Sequence, residues 1–67
     1  MSKVREFNFF ANRVVVTFDD GAVEVAQFRR YASGAVYLAG RPVGYAATPA
    51  DVQLVIREFF VDEYEHM

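Results

Sequence analysis

The sequence predicts an α+β fold: an antiparallel sheet of four to five short strands, joined as hairpins, with one C-terminal helix packed on one face. Three observations predict it. Residues 4–18 are rich in β-branched and aromatic side chains, with apolar residues at alternate positions. Asp20-Gly21 is a strong hairpin signal between alternating apolar residues. Thr48-Pro49-Ala50-Asp51 opens a stretch whose apolar residues recur at helical spacing.

Residues 4–10 and 13–18 form the first expected strand pair, with Ala11-Asn12 as a two-residue loop. That loop sets Phe9 opposite Val14 and Phe7 opposite Val16. Asn12 tolerates the positive φ that such loops use. A two-residue loop at Asp20-Gly21 then pairs Phe18 with Val23 and Val16 with Val25. Under this register Phe7, Phe9, Val14, Val16, Phe18, Val23 and Val25 share one face. Glu6, Asn8, Phe10, Arg13, Val15, Thr17, Glu24 and Ala26 take the other. A slip of one residue would undo that sorting, which argues for the register.

Residues 27–31, Gln-Phe-Arg-Arg-Tyr, break the alternation and suggest a bulge or strand end near Gln27. The rival assignment makes residues 21–33 a helix capped by Asp20 and ended by Gly34, giving ββαββα. Clean alternation at Val23 and Val25 favours a strand. Residues 35–46 read as a further hairpin about Gly40-Arg41, in which Val36 and Leu38 share a face with Val43 and Tyr45. Pro42 places its strand at an edge or at a strand start.

The terminal helix is expected from about residue 49 to the low 60s. Thr48 is its N-cap, Pro49 its first residue, and Asp51 meets the positive end of the helix dipole. At 100° per residue, Val52, Val55, Ile56, Phe59 and Phe60 form one wide stripe, the expected cover for the sheet. Leu54 and Val61 fall on the opposite side, with Tyr64 towards it. A helix that covers a sheet needs one apolar face, so this second stripe is surplus.

Composition narrows the function. The chain has 67 residues, 54% of them hydrophobic, with seven Phe, four Tyr and no Cys. That length fits a single domain spanning residues 1–67. The aromatic content and the net charge of −2 exclude an intrinsically disordered class. Without cysteine there is no disulfide and no thiolate metal ligand. No apolar run approaches the roughly 18 residues of a membrane span, and the N-terminus lacks the layout of a signal peptide, so a cytoplasmic protein is expected. Charge is uneven: residues 1–50 carry six basic and four acidic side chains, whereas residues 51–67 carry one and five. The C-terminal element is therefore suited to a basic surface.

Catalytic chemistry finds little support. The single histidine, His66, is penultimate, where neither a second group nor a shaped site holds it. Ser2 and Ser33 lie outside any nucleophile-elbow pattern. The glycines form no phosphate loop opening onto the helix. Asp62, Glu63 and Glu65 lack the rigid convergent frame that a metal needs. A non-enzymatic chain with no cofactor, no metal and no small-molecule substrate is expected.

Two binding surfaces remain. Leu54, Val61 and Tyr64 offer apolar contact on the helix, and Asp62, Glu63 and Glu65 offer charge for basic residues of a protein partner or of a second copy. As an alternative, Arg29, Arg30, Tyr31, Tyr37 and Arg41 form an Arg/Tyr surface of the kind that stacks bases and meets phosphates, with Arg30 paired across from Tyr37. The acidic balance of the whole chain weighs against nucleic acid.

In format the sequence resembles the small inhibitors encoded by bacteriophages and other mobile elements, including the anti-CRISPR proteins. The resemblance covers overall size, the strand-rich body and the terminal helix beginning Thr48-Pro49-Ala50-Asp51, and it carries over no functional residue. It implies an inhibitor that works in the host cytoplasm and blocks a host protein, such as a CRISPR-Cas component, by surface occlusion. The rival expectation is a homodimeric structural or assembly protein built on the surplus stripe.

Overall fold

In the computed structural model, which describes residues 3–64, the chain forms five antiparallel strands and then a helix. The strands are β1 (Val4–Phe9), β2 (Arg13–Phe18), β3 (Val23–Arg30), β4 (Ala35–Leu38) and β5 (Arg41–Tyr45). They lie side by side in chain order in one open sheet. A short 3-10 turn, Pro49–Asp51, leads into α1 (Val52–Tyr64). The expected α+β architecture is therefore present.

The first hairpin has the expected register. The Phe10 N–H donates to the Arg13 carbonyl at 2.8 Å around Ala11-Asn12. Phe9 faces Val14 and Phe7 faces Val16. The loop closes without a positive φ at Asn12.

The second hairpin differs from expectation by one residue. Its loop is Asp19-Asp20-Gly21: the Phe18 N–H donates to the Ala22 carbonyl at 2.9 Å, and the Gly21 N–H to the Phe18 carbonyl at 3.0 Å. Gly21 has φ +90°. This is a type I turn followed by a left-handed residue, which adds one residue to the loop. The period of a strand is two, so one added residue exchanges the faces of β3. Val16 now faces Glu24, and Val14 faces Ala26. Ala26 is buried, while Val23 and Val25 are 59% and 60% exposed on the open face of the sheet.

The third loop repeats that solution. The Gly34 N–H donates to the Tyr31 carbonyl at 2.8 Å, the Tyr31 N–H to the Ala35 carbonyl at 2.9 Å, and Gly34 has φ +100°. In both loops the side-chain oxygen before the glycine accepts the N–H after it, Asp20 from Ala22 at 2.9 Å and Ser33 from Ala35 at 3.4 Å. Strand β3 is thus neither a helix nor bulged at Gln27. There it changes partner instead: the Phe28 N–H donates to the Asn12 carbonyl, and the Gln27 carbonyl accepts the Ala39 N–H. Its first half pairs with β2 and its last three residues pair with β4.

The last hairpin turns at Ala39-Gly40, not Gly40-Arg41. Both residues have positive φ, +51° and +81°, as a type I′ turn requires. Leu38 faces Arg41 and Tyr37 faces Pro42; an irregularity then sets Gly44 opposite Val36 and Tyr45 opposite Ala35. Val43 packs against the core, whereas Tyr45 is exposed. The expected sharing of a face by Val36, Leu38, Val43 and Tyr45 fails for this reason. Pro42 lies on an edge strand, as expected.

The 3-10 turn that leads into α1 starts at Pro49, directly after an extended Thr48. Thr48 makes no side-chain bond to the backbone of the first turn. Its hydroxyl donates instead to an Asp51 carboxylate oxygen at 3.1 Å, and the Asp51 N–H returns to the Thr48 carbonyl at 3.0 Å. The expected stripe faces the sheet: Val52, Ile56 and Phe60 are buried, and Val55 and Phe59 pack against the core. Val14, Val16 and Val36 are fully buried beneath them. Burial of each such side chain contributes roughly 1.5–3 kcal/mol. The Arg57 guanidinium closes one side, 5.2 Å from the Phe7 ring and 5.3 Å from the Phe9 ring.

Helix α1 touches both edge strands, β1 and β5. Five flat strands about 4.8 Å apart would set those edges roughly 19 Å from each other. A helix about 10 Å wide reaches both only if the sheet curls around it.

Candidate interaction surfaces

The outer face of α1 carries the surplus apolar residues. Leu54 is 60% exposed and Val61 42% exposed, on a helix whose opposite side is sealed by Ile56 and Phe60. Asp62 is exposed beside them. The side chains of Glu63 and Tyr64, and all of Glu65 and His66, lie outside the described residues. Sequence reasoning missed Glu58, which is exposed one turn before Asp62. The four-residue spacing of the two acids was its available signal.

Glu58 and Asp62 rim a groove of about 450 Å³ between α1 and β5. Val43, Val55 and Phe59 supply its apolar lining, and Gly44 and Tyr45 line it from the strand. Gly44 lets helix and strand approach: a Cβ there would stand 2.6 Å from Val55 Cγ1. Val43 and Gly44 lie at the irregularity in β5, which no sequence signal marks.

The open face of the sheet holds a third surface. Val15 faces Val25, and Thr17 faces Val23. At its margin the Arg13 guanidinium lies 5.2 Å from the ring of exposed Phe10. The one-residue shift in the second hairpin created this patch, so the sequence register hid it.

The Arg/Tyr set divides. Arg29 faces Tyr37, its guanidinium lies 4.9 Å from the Tyr31 ring, and the Tyr31 and Tyr37 rings meet edge to face at 5.1 Å. With Asn12 and Gln27 they line a groove of about 520 Å³. Arg30 faces Val36 on the core side, not Tyr37. Its guanidinium donates to the carbonyls of Ala46 and Ala47 at 2.9 and 3.0 Å, which ties β3 to the segment before the helix. Arg41 faces Leu38, away from the tyrosines. Three of the five residues therefore form one surface, and Arg30 is committed to the fold.

Among the described residues no three His, Cys, Asp or Glu side chains are grouped to hold a metal ion. No helix among them is long and apolar enough to cross a membrane. Comparison with known proteins returns no matching family model, curated protein or solved structure.

Proposed function

We propose that the protein is a non-enzymatic binding domain that occludes the surface of a partner protein through the outer face of α1. One observation carries the reading: Leu54 and Val61 stand exposed on a helix whose other side is fixed in the core. A buried stripe holds the outer residues in place before any partner arrives, which lowers the ordering cost of binding. An apolar centre with a polar rim is the usual layout of a protein interface. Occlusion needs such a face and no reaction chemistry. On this reading the chain is an inhibitor of the kind that phages and other mobile elements encode, acting on a host protein.

The test compares affinity capture by the native protein with capture by a Leu54→Ala/Val61→Ala variant. Both residues are exposed, so the variant keeps its thermal midpoint. The partner captured by the native protein is expected to vanish from the variant. An identical set of captured proteins overturns the reading.

A second reading, a homodimer, draws on a different observation, the exposed Val23 and Val25 beside Val15 on the open sheet face. Sedimentation at micromolar concentration separates the two: a dimer that Val25→Lys dissolves supports the homodimer.

A further inference from the structure

We propose that the groove between β5 and α1 holds an extended segment of the partner, one that carries an apolar side chain next to a lysine or arginine. This inference rests on the protein-binding reading and specifies its ligand. The groove combines three features. Its strand wall is an edge, because β5 pairs with β4 alone. Its floor offers apolar side chains, Val43, Val55 and Phe59, within a lining that is otherwise polar. Its rim is acidic, with Glu58 and Asp62 one helical turn apart.

An edge strand beside a helix suits strand addition. The partner's main chain pairs with the free edge, and its alternate side chains enter the groove. About 450 Å³ lies within the range of pockets that accept small ligands or a few side chains. Pro42 has no N–H to donate, so pairing concentrates on the Val43–Tyr45 end of β5, where the groove opens.

Charge selects the occupant. Neither the Glu58 nor the Asp62 carboxylate has a hydrogen-bond or ion-pair partner among the described residues. A cation arriving with the partner segment meets both carboxylates at the groove mouth. A second copy docked groove to groove would bring the two acids against their own equivalents, which repel, and one docked through its other edge strand, β1, would leave its own groove open and build an unclosed row of copies. The favoured occupant is therefore a cationic segment of a different protein.

The test selects a displayed library of random dodecapeptides on the full-length protein. Enriched peptides are expected to place Lys or Arg within two residues of an aliphatic or aromatic side chain. A synthetic copy of one should move the amide resonances of Gly44, Tyr45, Val55 and Glu58. Glu58→Gln/Asp62→Asn should weaken it about fivefold to tenfold, and affinity should fall as salt rises. Leu54→Ala/Val61→Ala should leave peptide affinity unchanged, so the groove and the outer helix face are tested separately. Enrichment without cations, no enrichment, or shifts confined to another face overturns the proposal.

Discussion

The part-buried Arg30 guanidinium donates to two carbonyls just before the helix, whereas Arg29 lies on the open face over Tyr31. Hydrogen bonds from a charged donor contribute more than neutral ones, and Ala46, which supplies one acceptor, is buried. Arg30→Ala is expected to lower unfolding free energy by roughly 1–2 kcal/mol in urea titration. Arg29→Ala is expected to change it by about 0.5 kcal/mol or less, as solvated contacts do. Equal losses would contradict the assignment. The sequence shows two adjacent arginines, and their faces follow only from the register of β3. Leu54 and Val61 were readable in advance because helical spacing needs no distant loop to fix it.

Loops decided which strand residues the sequence could place. Helical periodicity locates Val52, Ile56 and Phe60 from local spacing, and the structure agrees. Strand faces depend on loop length, and Asp20-Gly21 serves a two-residue or a three-residue loop equally well. The structure uses the longer form, which moves Val25 outward and Ala26 inward. The Ala39-Gly40 turn was harder still, because Ala39 takes φ +51°, a conformation that alanine disfavours. Nothing in the sequence marks Ala39 as a left-handed residue. Asparagine tolerates that region better and is preferred at the first position of a type I′ turn. Ala39→Asn is therefore expected to raise the urea midpoint by the equivalent of about 0.5–1 kcal/mol, with an unchanged slope. A lower midpoint would show that the turn is held in another form.

Across the molecule, the helix closes over a sheet that the chain builds without any crossover. The overall class was readable because hairpin signals and one capped helix leave few topologies. The groove was not, because it arises where α1 meets β5 through Gly44, between elements distant in sequence. Net charge tells the same story: in a chain at −2 overall, five of the nine acids fall after residue 50, Glu58 and Asp62 among them. The same helix acts as a clasp across the two ends of the meander, since it touches both β1 and β5. Loosening it with Phe60→Leu should therefore hasten amide hydrogen exchange in those two strands together, and sooner than in β2. Strands that share no hydrogen bond would open as one unit, their common fate set by a ring that belongs to neither.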